Sequence, residues 1–272
     1  MRVDRSVLIL VVPLVFAFSV SAQQPLPATT QVSTPQPSVL AQQAQTALNG
    51  AVAVSDMTLT GTATRTLGPD SETGNFTLKA LGDDLSRFDL VLAAGTSTEI
   101  YNISAISNGP EGIWISTDGT SHPIADHNCY AGEVWFSPSL SIVGEVSNPN
   151  LVLAYVGAET KNGVAVQHLT YSLVVPSAVS APNALLTQLS TTDVYLNAST
   201  YLPVAIVYNT HPDTNLLVNI PVEIDFSSYQ VVQGVQVPFH VQKLLNGTLL
   251  LDLTVQSATV NSGLTASAFS AS

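Results

Sequence analysis

The chain has 272 residues, with 7 basic against 19 acidic side chains, 46% hydrophobic residues and a single cysteine. This acidic balance excludes phosphate-tracking nucleic-acid binding, which needs clustered Lys or Arg, and argues against adsorption on an anionic membrane. One cysteine excludes an internal disulfide framework, so stability must come from an ordinary apolar core.

Arg2 and Arg5 precede an apolar stretch from Val7 to Val20 that runs into Ser21-Ala22. Small residues at the positions a signal peptidase reads predict a secretory signal peptide over 1–22, cleaved after Ala22. The stretch holds 14 residues and is interrupted by Pro13, short of the ~20 that span a bilayer. The expected mature chain therefore has no transmembrane segment and is periplasmic or secreted. Gln23 rather than a cysteine follows the cleavage point, which leaves no lipidation site. Without Arg2, Asp4 and Arg5 the balance is 5 basic to 18 acidic residues, a charge of −13. Residues 23–37 carry Pro25, Pro27, Pro35 and Pro37 among Gln, Thr and Ser, the composition of a flexible linker. The remaining residues, 38–272, are expected to form a single domain.

Ser38 is placed to cap a helix running to about Asn49, with Leu40, Ala44, Ala47 and Leu48 on its apolar side and Asn49-Gly50 as its stop. Period-2 alternation then predicts strands. Met57, Leu59, Gly61 and Ala63 alternate with threonines; Phe76 and Leu78 follow the Gly68-Pro69-Asp70 turn; Phe88, Leu90 and Leu92 follow Gly82-Asp83-Asp84. Two shorter strands cover 96–103 and 112–116. From His122 to Leu140 the alternation fails and Trp135 and Phe136 appear, which predicts an irregular or partly helical insert lying on the sheet. A hairpin follows over 151–158 and 164–175, turning at Lys161-Asn162-Gly163, and a helix over 181–189. Beyond Asp193, alternation resumes through Ile220-Val222-Ile224-Phe226, Val237-Phe239-Val241 and Leu249-Leu251-Leu253-Val255. Asn246-Gly247 joins the last two runs, because both positions tolerate the positive φ of a type I′ turn.

About ten antiparallel strands are too many for a comfortable flat sheet, so the sheet should curl and its concave apolar side must be covered. The fold class is mainly β with few helices, a curled antiparallel half-barrel covered by short helices.

The stations Asp193 to Leu196, Asn197-Ala198-Ser199-Thr200, Tyr201 to Val204, Ile224 to Tyr229, Gly234 to Phe239 and Val260 to Leu264 closing on Phe269 form a pattern. Over roughly the last 80 residues this pattern resembles the outer-membrane lipoprotein-sorting (LolA-like) superfamily. The resemblance implies an incomplete antiparallel barrel capped by helices, with an apolar molecule held between them. By their size, the Tyr229 and Phe269 rings are expected to act as apolar plugs for the barrel ends. Pro203 and Pro238 at strand starts fit that frame, since no ladder N–H is lost there. The stretch from His122 to Trp135 lies outside the family pattern.

Inward-facing apolar residues are the candidate ligand wall: Phe88, Leu90, Trp114, Trp135, Phe136, Leu196, Ile206, Phe226, Phe239 and Leu251. The expected partner is an apolar small molecule or lipid, with envelope proteins as donors or acceptors, and no cofactor. The alternative is a structural or interaction module whose core is filled by its own side chains. Catalysis finds no support: Gly-x-Ser-x-Gly, His-Glu-x-x-His and phosphate-binding loops are all missing from the sequence. His122, Asp126 and His127 are close enough in sequence to ligate a metal, but Pro123 and the lack of a fourth ligand favour an ordinary loop. His168 and His240 read as structural strand histidines, and Cys129 as a small buried apolar group. Asn75, Asn102, Asn197 and Asn246 match the glycosylation acceptor pattern, at the frequency a chain rich in Asn, Ser and Thr produces.

Overall fold

Thirteen strands form one antiparallel sheet in a computed structural model that describes residues 34–102, 111–141, 148–174 and 180–271. The predicted leader and most of the linker lie outside these residues. Helix α1, Pro37–Asn49, begins one residue before the expected cap. Pro37 occupies its first turn, where its missing N–H costs nothing, and no side chain caps the Gln36 end, so Ser38 is not the cap. Leu40, Ala41, Ala44 and Leu48 make its buried side. It stops at Gly50, whose φ of 54° brings its N–H to the Thr46 carbonyl at 2.9 Å.

The first six strands are β1 (Asp56–Leu67), β2 (Asp70–Leu81), β3 (Leu85–Leu92), β4 (Gly95–Asn102), β5 (Glu111–Ile115) and β6 (Ser121–Ile124). Then come β7 (Leu151–Lys161), β8 (Val164–Leu173), helix α2 (Ser180–Ser190), β9 (Thr192–Asn197), β10 (Pro203–Thr210), β11 (Ile220–Val232), β12 (Val235–Leu245) and β13 (Thr248–Val260). The estimate of about ten strands is low, and β6 is the strand that the loss of alternation hid: it lies inside the expected insert and carries Pro123. As the four-residue edge of the sheet it can accommodate a proline.

The strand order is β6-β5-β4-β3-β2-β1-β13-β12-β11-β10-β9-β8-β7. Sequence neighbours pair throughout, and the first strand pairs with the last, so the order runs round a ring broken between β6 and β7. The sheet is curved. Helix α1 packs on both β12 and β7, which stand five strands apart. Laid flat, five strand spacings are about 24 Å, whereas a helix with its side chains is about 10–12 Å across. The hairpin turns follow their residues: Asn162-Gly163 and Asn246-Gly247 both hold positive φ at both positions. Gly61 is required by close approach, since a Cβ there would lie 2.0 Å from the Thr254 carbonyl oxygen of β13, beside the bulge in the β1–β13 ladder.

The inner face holds Met57, Leu59, Leu78, Val194, Leu196, Ile224, Val241 and Leu253, all essentially without solvent contact. Its cover comes from the chain between the two free edges. Residues 131–141 bring Val134, Trp135, Phe136 and Leu140 down onto the sheet, each at most 4% exposed. At about 1.5–3 kcal/mol per fully buried large side chain, this segment is held more firmly than α1, half of whose buried apolar positions are alanines. On the outer face the 3-10 turn Ala266–Phe269 packs against β3 and β4, with Arg87 donating from Nη1 to the Ser270 carbonyl at 2.9 Å. Phe269 therefore covers the outside of those strands and does not plug a barrel end. Tyr229 is anchored instead by its hydroxyl, which donates to the Pro203 carbonyl at 3.0 Å.

Candidate functional site

The alternation assigns side chains to faces through the register. Phe88 pairs with Glu99, Glu99 with Trp114, and Trp114 with His122, so all four lie on the inner face of β3 to β6. Phe88, Leu90, Trp114 and Leu251 wall a cleft of about 120 Å³ together with Arg65, Ser97 and Glu99. Trp114 is inward-facing yet remains 43% exposed while stacked on the His122 ring at 5.1 Å, an openness otherwise found on this face at the hairpin ends Leu67 and Leu245. Trp135 meets Phe88 edge-on at 5.9 Å and Phe136 at 5.6 Å, closing the deep side of the cleft.

The other predicted wall residues share this face but are spent on packing. Trp135 and Ile206 border a void of about 20 Å³. Leu196 borders one of about 10 Å³ beneath Ala41 and Ala44 of α1, with Leu153, Leu169 and Val194. Phe136 and Phe226 are buried in the core, and Phe239 is partly buried against it.

Besides Glu99, charge enters the inner face in a second cross-strand row. Lys243 pairs in register with Leu251, Leu251 with Arg65, and Arg65 with Glu72. Arg65 is bound to Glu72 at 2.7 Å. The Lys243 ammonium lies 4.6 Å from the centre of the Trp135 ring. The alternation with Val241 already indicated that Lys243 points inward, but a lysine near a hairpin reads as a solvated strand end, and nothing local reveals the indole above it. Deeper in, burial first and then the field of Glu99 push the phenols of Tyr101 and Tyr208 upward. Burial, followed by Glu133, Asp126 and Glu99, pushes the Cys129 thiol up to about 12, which leaves it an inert buried group.

Gly132 brings the covering segment across Tyr208. Its φ is +78°, and a Cβ at that position would lie 2.2 Å from Tyr208 Cζ. Gly132→Ala is expected to cost about 2 kcal/mol or more, from the left-handed backbone and the forced shift of a buried ring. Urea denaturation of the variant checks this; a loss below about 0.5 kcal/mol would mean that the segment is not seated on Tyr208.

The strand histidines lie outside, on the convex face. His168 has Glu159 at 2.7 Å from Nδ1 and Asp193 at 2.8 Å from Nε2, and stacks on Tyr195 at 4.3 Å. His240 stands between Ser227 and Asp252, each at 2.9 Å, while Gln242 donates to the second Asp252 oxygen at 2.8 Å. Register accounts for this chain of contacts: Ser227 is directly opposite His240, and Gln242 opposite Asp252. Nearby, burial first and then Glu223 raise the Asp225 carboxyl to about 6. His127 faces the Pro212 carbonyl at 3.2 Å, and among the described residues no three His, Cys, Asp or Glu side chains are grouped to hold a metal.

No protein-family model matches the chain, and no curated protein matches it. Solved structures that share its fold include two that superpose over most of the chain. A DUF1329 family protein from Desulfovibrio piger superposes with a TM-score of 0.54 at 11% identity, over 86% of this chain and 95% of its own. An outer membrane lipoprotein-sorting protein domain from Vibrio parahaemolyticus superposes with a TM-score of 0.53 at 13% identity, over 86% and 95%. The fold is thus LolA-like along most of its length, including the N-terminal half where the sequence carries little of the pattern.

Proposed function

We propose that this LolA-like half-barrel is an exported, non-enzymatic carrier that seats a lipid or acyl chain on its inner face, at the cleft of Phe88, Leu90, Trp114 and Leu251. The observation that carries the reading is Trp114. It points inward, and apart from Leu67 and Leu245 at hairpin ends it is the most open large apolar residue described on that face, with 43% of it meeting solvent. An apolar chain laid against it removes that surface from water at about 25 cal/mol per Å².

The cleft of about 120 Å³ is smaller than the ~300–1,000 Å³ of ordinary ligand sites, so the bound state needs a cover to move. Helix α1 is the cover that moves at least cost. Its alanine seam over β7 to β9 buries little, and its first turn has no side-chain cap. Among the described residues no helix is long and apolar enough to cross a membrane.

The small voids favour a second reading, an interaction module with a self-packed core. Solvent extraction and mass spectrometry of the protein purified from its native host separate the two. An amphiphile recovered at about one per chain is expected. Clean protein whose tryptophan emission is unmoved by added long-chain alcohols and acids would leave the packed module standing.

A further inference from the structure

We infer that the bound molecule is an anionic amphiphile whose carboxylate or phosphate seats on Lys243, beside Arg65, with its chain passing over Leu251 into the Phe88–Trp114 cleft. This rests on the carrier reading above and names the ligand class for the same site.

Three observations carry it. The first is position: outside 1–22 the chain has only five Lys and Arg residues, and two of them flank Leu251 in a single cross-strand row of the inner face. The second is pairing. Arg65, Arg87 and Lys161 each have a carboxylate within 2.8 Å, whereas among the described residues Lys79 and Lys243 have none; of these two Lys243 is the one on the inner face, where it meets the Trp135 ring. The Lys243 ammonium, seated against an indole with no carboxylate bound to it among the described residues, is placed to take an anion from the cleft. The third is continuity. Leu251 touches both cations through the register and also walls the cleft, while Phe88 walls the cleft and meets Trp135. Charge and apolar wall thus meet at one residue, the arrangement an amphiphile requires.

Glu72 and Glu99 set the polarity. Glu72 engages Arg65, and Glu99 lies across the cleft beside Trp114. An anionic head is therefore repelled from the Trp114 end and held at the Lys243 end, which fixes the direction in which the chain lies.

The two tryptophans of the chain both border the site and supply the readout. Dodecanoate, dodecyl phosphate and dodecanol are titrated into the wild type, Lys243→Met and Lys243→Arg while tryptophan emission is followed. A charge-assisted contact predicts that the wild type binds at least one anion about tenfold more tightly than the alcohol. Lys243→Met should erase that preference by weakening anion binding, with far-UV circular dichroism showing that the variant is folded, and Lys243→Arg should keep it. The tighter of the two anions identifies the source as a fatty acid or a phospholipid-type head. Equal binding of alcohol and anions by the wild type, or a preference that survives Lys243→Met, overturns this inference while the carrier reading stands. Absence of binding by all three compounds overturns both.

Discussion

Trp135→Ala will lower the free energy of unfolding by about 3–5 kcal/mol, the range for deleting a large aromatic from a packed core. The indole is 1% exposed, meets Phe88 and Phe136 edge-on and lies under the Lys243 ammonium. Its removal empties the space between sheet and covering segment, and no neighbour can close it without unseating residues 131–141. Loss of the cation–π contact adds about 0.5–1 kcal/mol. Chemical denaturation at neutral pH measures the effect. A loss under about 1 kcal/mol would show that the segment does not pack on the inner face.

Asp56→Ala will cost about 2–4 kcal/mol, from two backbone N–H groups and a hydroxyl left without an acceptor. Asp56 is 1% exposed and accepts from Ser262 N at 2.8 Å, Ser262 Oγ at 2.7 Å and Gly263 N at 3.0 Å. Burial alone would raise its pKa, but the hydrogen bonds from Ser262, Gly263 and Leu264 outweigh it and hold the carboxyl below its ordinary 3.8. A lowered folded pKa gives stability that is present above the unfolded value and is lost as pH falls through the folded one. In the wild type this contribution should therefore fade below about pH 4. Asp56→Ala should be less stable at pH 7 and should lack that part of the acid loss. Identical acid-denaturation profiles for the two proteins would refute the role.

Local chemistry made much of the sheet legible before the structure. The alternation of Val222, Ile224 and Phe226 with Glu223 and Asp225, and the Asn162-Gly163 and Asn246-Gly247 turns, depend on side chain and φ alone, and they appear as read. The break in alternation around Trp135 was equally informative, since a covering segment has no sheet period to obey. What stayed hidden was set by distant partners. Nothing near Met57 announces Val260 as its register partner. Pro123 argues against a strand unless the position is known to be an edge. Ser38 looks like a cap because its residue type favours caps, but Pro37 at the first helical position moved the start forward. In the candidate site, the inward direction of Phe88, Leu90 and Leu251 followed from periodicity. The Lys243–Leu251–Arg65 row did not, because it joins three strands whose registers only the folded sheet defines.

The pairing of β1 with β13 has a consequence for synthesis. Two arms, β1 to β6 and β7 to β13, can each zip up from local hairpins. Their junction must wait for a partner about 200 residues downstream, a loop closure that favours slow folding. At about 5–20 residues per second, β1 stands with an unprotected edge for about 10–40 s while the rest of the chain is made. That interval, more than the finished protein, is when the nascent polypeptide is open to mispairing, and holdase chaperones would be engaged then.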